Sequence, residues 1–255
     1  MRMVWMGLAL CLCGAVQAGE LEGSDPAAIV AAAHRAAGGE VWKRPLTLHL
    51  RGRAELWQNG LAEAHSVADH YEMWREFPSW NAAAHQANGK VRIDARQGTR
   101  VLFQQSFDGE HSYNQNGRID GAAASREWSE AFGFGIIRFA LDEGFRLQLM
   151  ADDLVDAQPC RVVKVIDPSG TETVFAIDRD SAAIRRVGFD TPRGWHERIY
   201  SDFRWLDDPG FQQPMRVRLY YQGVKTNDIQ WQEARVNQPI DAAVFVIQPP
   251  ASTPP

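Results

Sequence analysis

The sequence predicts a mainly β protein, a single antiparallel sheet coiled around itself with only two helical stretches to cover it. Three observations carry this. From Leu46 the chain alternates apolar and polar residues over twelve positions, LTLHLRGRAELW. Similar short runs, separated by turn dipeptides, recur through both halves of the chain. Helical periodicity is confined to a segment near the amino terminus and another near residues 121–151.

The chain opens MRMVWMGLALCLCGAVQAGE, with Arg2 the only charge before an apolar run that ends in the small-residue site Val16-Gln17-Ala18. This is the pattern of a cleaved signal peptide over residues 1–18. Lipoprotein processing at Cys11 or Cys13 is the alternative, but Leu10 and Leu12 stand where a small residue normally precedes a lipidated cysteine. Cleavage leaves Cys160 alone, so the mature chain forms no internal disulfide and rests on an ordinary hydrophobic core. The chain has 27 basic and 32 acidic residues. Without Arg2 the balance is 26 − 32 = −6, which excludes the basic stripe of a nucleic-acid binder. Export without a later membrane-length apolar stretch points to the periplasm.

In SDPAAIVAAAHRAAGG, Ser24 or Asp25 caps a short helix, Pro26 suits its first turn, and Gly38-Gly39 stops it. In the strand that follows, Leu46, Leu48, Leu50, Gly52, Ala54 and Leu56 share the inward face. The segments HSVADHYEMWREF, KVRIDA, TRVLFQQSFDG and EHSYNQNG continue as hairpins, turning at Asn88-Gly89, Gln97-Gly98, Asp108-Gly109 and Asn116-Gly117. Then Trp128, Ala131, Phe132, Gly135, Ile136 and Phe139 recur at helical spacing. Gly133 and Gly135 each cost about 1 kcal/mol there and weaken the middle of that helix. The strands CRVVKVID, TETVFAID, AAIRRVGFD, WHERIYSDFRW, PMRVRLYY and NDIQWQEARV complete the sheet, and PPASTPP is a disordered tail over residues 249–255. No repeat and no linker divides residues 19–248, which read as one domain.

The chain lacks G-x-S-x-G, H-E-x-x-H, a P-loop and a C-x-x-C pair. His65 and His70 fall on opposite faces of a strand. Asp152, Asp153 and Asp156 lack the glycine and closing glutamate of a calcium loop and read as a solvated turn. Ser169 and Cys160 have no base in their motif. The expectation is a protein without catalytic residue, metal or cofactor.

Strict alternation in WHERIYSDFRW puts Trp195, Ile199, Phe203 and Trp205 on one side, with His196, Arg198 and Tyr200 facing water. The next strands add Met215, Val217, Leu219 and Tyr221, then Ile229 and Trp231, to the same apolar face. That face is wide, and little helix is at hand to cover it. A long curved sheet so thinly covered leaves space for a ligand.

The run VVKVIDPSGTETVFAID, then AAIRRVGF, YSDFRWLDDPGFQQPMRVRLYYQG and VNQPIDAAVF, resembles the LolA/LolB-like superfamily of periplasmic outer-membrane lipoprotein-sorting and lipid-carrier proteins. The resemblance covers roughly Cys160 to Phe245; before that it lies in strand pattern only. It implies an open antiparallel β half-barrel covered by a helical lid, with acyl chains held in an apolar cavity. The periodicity then names Phe203, Trp205, Leu219, Tyr221 and Trp231 as ligand-binding residues of the sheet, and Trp128, Phe132, Ile136 and Phe139 as those of the lid. The expected function is a periplasmic carrier that shuttles a lipid or lipoprotein toward the outer membrane, between an inner-membrane donor complex and an outer-membrane acceptor. The alternative is a regulatory or sensor protein of the same fold that acts through a protein partner.

Overall fold

A computed structural model describes residues 25–58, 61–79, 83, 89–119 and 133–249. The expected signal peptide, the lid residues Trp128 and Phe132, and residues 250–255 of the tail lie outside the described residues. The chain forms α1 (Pro26–Ala37) and α2 (Glu40–Lys43), followed by β1 (Thr47–Leu56), β2 (Ser66–Glu76), β3 (Lys90–Gln97), β4 (Arg100–Phe107), β5 (Ser112–Asn114) and β6 (Gly117–Arg118). A 3-10 turn at Gly133–Phe139 leads to β7 (Arg146–Leu149), β8 (Asp153–Val155), β9 (Gln158–Ile166), β10 (Glu172–Asp178), β11 (Ile184–Thr191), β12 (Gly194–Leu206), β13 (Phe211–Tyr221) and β14 (Val224–Val236). A second 3-10 turn, Ala242–Phe245, closes the described chain.

The strands make one antiparallel sheet in the order β6-β5-β4-β3-β2-β1-β14-β13-β12-β11-β10-β9-β7, with β8 paired to β9. Each half is a meander of neighbouring hairpins, and the two meanders meet where β1 pairs with β14, Leu48 opposite Val236 and Ala54 opposite Ile229. β6 and β7 end the order without pairing to each other, so the sheet is an open half-barrel. Coiling needs a bend in the central strand. β1 shifts register against both neighbours beside Gly52. A Cβ there would stand 2.0 Å from the Gln230 carbonyl oxygen, so no larger residue fits.

The concave face carries the core. Leu50, Ala54, Phe175, Ile177, Val187, Phe189, Met215 and Ile229 are buried there. α1 lies on this face, in contact with β13 on one side and β7 and β9 on the other. Asp25 caps it, its carboxylate accepting from the Ala27 amide at 3.0 Å, and Ile29, Val30 and Ala33 face inward. The end of α1 presses on the loop before β13: a Cβ on Gly38, which sits at φ 129, would lie 2.4 Å from the Gly210 carbonyl oxygen.

The convex face is mostly polar and has two apolar covers. The β8–β9 hairpin covers Val155, Cys160, Val162 and Ala176, against which Ile199 packs. The closing segment lays the fully buried Phe245 over β3 and β4, where Ser106 Oγ donates to the Phe245 carbonyl at 2.6 Å and Arg92 to that of Val244 at 2.7 Å.

Two expectations are corrected. The segment around Ile136 is a 3-10 turn from Gly133, not an α-helical stripe, because two glycines within three residues remove the helical preference that the apolar spacing supplies. Residues 146–149, inside the span where strand alternation was expected to stop, form β7 against β9. Asp152, Asp153 and Asp156 are exposed at the β8 hairpin, as expected of a solvated turn, and each meets an arginine there. Asp152 bonds Arg161 at 3.1 Å, Asp153 bonds Arg186 at 2.7 Å, and Asp156 bonds Arg218.

Candidate functional site

A cavity of about 190 Å³ lies between the concave face and its cover. Leu48 and Leu50 of β1, Tyr71, Met73 and Arg75 of β2, and Ile93 of β3 form one side of its floor. Val217 and Leu219 of β13, Ile229 and Trp231 of β14, and Arg198, Tyr200 and Phe203 of β12 form the other. The cover contributes Ala37 of α1, Trp42 of α2, and Gly135, Ile137 and Arg138 of the 3-10 turn. A hydrogen bond holds the pieces of the cover together: His34 Nε2 lies 2.8 Å from the Ile137 carbonyl oxygen and donates to it. Burial lowers the His34 pKa, so the ring makes this bond in its neutral form.

Of the sheet residues expected to line a cavity, Phe203, Leu219 and Trp231 do so. Trp205 does not: it is 51 % exposed near the end of β12. Tyr221 does not either. It sits at the β13 hairpin end, its ring 4.4 Å from that of His196 and under the Arg193 guanidinium at 4.2 Å. Ile136 and Phe139 are buried, but beside the cavity and not in its wall; their neighbours Ile137 and Arg138 line it. Alternation along β12 is also reversed from expectation. Arg198 and Tyr200 face the cavity opposite Leu219 and Val217, while Ile199 packs on the convex cluster. Asp202, at φ 55, interrupts the alternation, and Phe203 lines the cavity beyond it together with Tyr200.

Sequence reasoning missed the cations. Arg75, Arg138 and Arg198 all line the cavity, among rings. Arg75 lies 4.7 Å over Phe77, and Arg138 lies 4.7 Å from both Trp42 and Phe77. Burial lowers the Arg75 pKa, and repulsion from Arg138 and Arg198 adds to it. Burial, opposed in part by Tyr200, brings Arg138 down to about 10, which leaves it charged at neutral pH. Burial raises the Tyr200 hydroxyl, while Arg198, Arg138 and Arg75 pull it the other way, so the four groups share one field. Behind them His196 is fully buried; burial and then the charge of Arg198 depress its pKa to about 3. Neutral His196 therefore donates from Nδ1 to the Tyr220 carbonyl at 3.0 Å and accepts from Arg198 Nε at 3.0 Å. The signal for Arg75 was in the sequence: in YEMWREF it alternates with Tyr71, Met73 and Phe77, which are apolar or aromatic.

The wall of the cavity is mostly apolar and aromatic. Among the described residues that line it there is no Asp, Glu, His, Ser or Cys. Cys160 sits on the opposite face, its thiol raised to about 11 by burial, and the Ser169 hydroxyl donates to Asp167 at 2.6 Å within a surface turn. Among the described residues no group of three or more His, Cys, Asp or Glu could hold a metal ion, and no helix is long and apolar enough to cross a membrane.

No family model matches the chain, and no curated protein matches it. Solved structures do. A DUF1329 family protein from Desulfovibrio piger aligns at 12% identity over 87% of this chain and 98% of its own, with a TM-score of 0.51. A structure described as an outer membrane lipoprotein-sorting protein domain from Vibrio parahaemolyticus aligns at 11% identity over 86% and 94%, with a TM-score of 0.48. A LolA superfamily protein from Nitrosomonas europaea aligns at 11% identity over 88% and 98%, also at 0.48. Identities this low speak to fold alone. The likeness to the DUF1329 family protein is one of fold, the open antiparallel sheet with its helices on the concave side that the sequence analysis expected.

Proposed function

We propose that this protein is a non-enzymatic periplasmic carrier, which takes the acyl chains of a lipid or lipoprotein into the cavity and moves them toward the outer membrane. The supporting observation is the cavity itself, apolar over most of its wall and roofed, among the described residues, by α1, α2 and a glycine-bearing 3-10 turn. A cavity of about 150 Å³ lined by apolar side chains is enough to admit benzene. The volume here, about 190 Å³, admits a short stretch of chain with the cover closed, so a whole acyl chain requires the Gly133–Phe139 turn to move outward. Each buried methylene then contributes about 0.8 kcal/mol. Ile136, Ile137 and Phe139 are buried in the turn, so the burial of the bound chain has to offset the packing that they lose as it opens.

Native mass spectrometry of the protein purified from its own periplasm tests this, followed by extraction of whatever is bound and by titration with a fluorescent fatty acid. A co-purifying lipid or lipopeptide, or saturable uptake of the probe, is the expected result. An empty protein that takes up no probe would overturn the carrier reading, and a stable periplasmic protein partner found by crosslinking would replace it with the sensor reading.

A further inference from the structure

We propose that this cavity, with its cover in place, is a binding site for a compact aromatic molecule of one or two rings. This goes beyond the carrier reading, since such a guest is held without displacing the cover that a whole acyl chain has to move.

Volume is the first reason. A cavity of about 150 Å³ takes benzene, and about 190 Å³ is open here. A single ring or a fused pair fills that space while Ile136, Ile137 and Phe139 keep their buried places in the turn. A long chain does not, so the compact guest avoids a packing cost that the chain incurs.

The second reason is the make-up of the wall. Rings reach the cavity from roof and sheet alike: Trp42 from α2, Tyr71 from β2, Tyr200 and Phe203 from β12, Phe211 from β13 and Trp231 from β14. Aromatic pairs gain from offset, tilted or edge-on contacts at centroid separations of about 4.5–7 Å, over and above the area they bury. A saturated ring of similar size buries as much area and makes none of these contacts.

The third reason is that the rings of the wall are already set at such angles. Tyr71 and Trp231 stand 5.5 Å apart and tilted by 48°, and Phe103 meets Tyr71 nearly edge-on at 6.2 Å and 72°. Where roof and sheet meet, Trp42 and Phe77 both lie 4.7 Å from the Arg138 guanidinium carbon. Stacking on it steadies both rings, whatever its N–H groups bond. Rings held in place before the guest arrives lose little freedom when it binds.

Isothermal titration of the wild-type protein compares benzyl alcohol with cyclohexylmethanol, each affinity divided by that ligand's water-to-dodecane partition coefficient so that apolarity alone cancels. Aromatic contact is worth about a factor of two to ten, and benzyl alcohol should bind more tightly by that much on the corrected scale. Tyr71→Leu should bring the two values together; Trp42→Leu gives the same reading should Tyr71→Leu melt early. Ring protons of the bound alcohol should show nuclear Overhauser contacts to the methyl groups of Leu50 and Leu219, which line the cavity. Equal corrected values on the wild-type protein, contacts to other methyl groups only, or no binding of benzyl alcohol would each overturn the aromatic site. None of these outcomes touches the carrier reading, which stands or falls on uptake of the fatty-acid probe.

Discussion

The two faces of the sheet use arginine in opposite ways. On the convex face each of several guanidiniums meets a carboxylate: Arg216 bonds Asp228 at 2.9 and 2.8 Å, Arg186 bonds Asp153 at 2.7 Å, Arg92 bonds Asp94 at 2.7 and 2.9 Å, and Arg218 bonds Asp156. On the concave face Arg75 and Arg138 lie against Phe77 and Trp42, and Arg198 against neutral His196. A convex cation serves the sheet, because its partner is already in place beside water. A concave cation packs on aromatic rings or on a neutral histidine, in a mostly apolar wall. On the function proposed above, the concave face is the site and the convex face its scaffold.

That contrast is open to attack at four points. The largest effect is expected at Trp231, 7 % exposed and packed at 5.5 Å on Tyr71. Trp231→Ala should lose about 3 kcal/mol in urea unfolding and with it most uptake of a fluorescent fatty acid. Unchanged uptake in a folded variant would remove this wall from the site.

Next is acid. The unfolded His196 titrates near 6.5 and the folded one at about 3, so between those values the unfolded chain binds a proton that the native chain does not. Stability from this group is full above pH 6.5 and falls as pH drops toward 3. Urea midpoints of His196→Gln should fall less steeply than wild type across that window. Parallel curves would mean that the concave cations do not depend on a neutral histidine.

On the convex face, Asp228 is 4 % exposed and holds both Arg216 and Lys225. Burial works against its ionised form, but the bonds from Arg216 and Lys225 keep its pKa below the usual range. Asp228→Asn should cost about 2 kcal/mol by equilibrium unfolding and leave probe binding alone. A binding defect there would mean that the faces are coupled. The smallest effect belongs to Trp205, exposed outside the cavity: Trp205→Ala should stay within about 0.5 kcal/mol of wild type and bind the same probe equally well.

Much of the scaffold was legible in the sequence. Period-two alternation and Asn-Gly or Asp-Gly turns announced the hairpins, since each needs only local backbone preferences. The inward choice of Leu48, Leu50, Val217, Leu219, Ile229 and Trp231 followed from the same alternation. The face of β12 did not. With His196, Arg198 and Tyr200 on one side and Trp195 and Ile199 on the other, an apolarity rule turns the strand over. The buried cations that mislead the rule are also what distinguishes the cavity. Nor did spacing separate Ile136 and Phe139, which pack beside the cavity, from Ile137 and Arg138, which line it; a 3-10 turn presents different residues from the α-helix that the spacing suggested.

The sequence alone thus determined that this chain makes one antiparallel sheet, with a capped helix ahead of it and no recognisable catalytic motif, because alternation, turns and caps act between residues a few positions apart. Only the tertiary structure decided that β1 and β14 join the two meanders, that three arginines from distant segments meet in one apolar cavity, and that Trp205 and Tyr221 stand outside it. Those outcomes depend on how far the sheet coils and where the cover settles, and coiling is the sum of register shifts and close contacts, such as Gly52 against Gln230, between residues far apart in the chain.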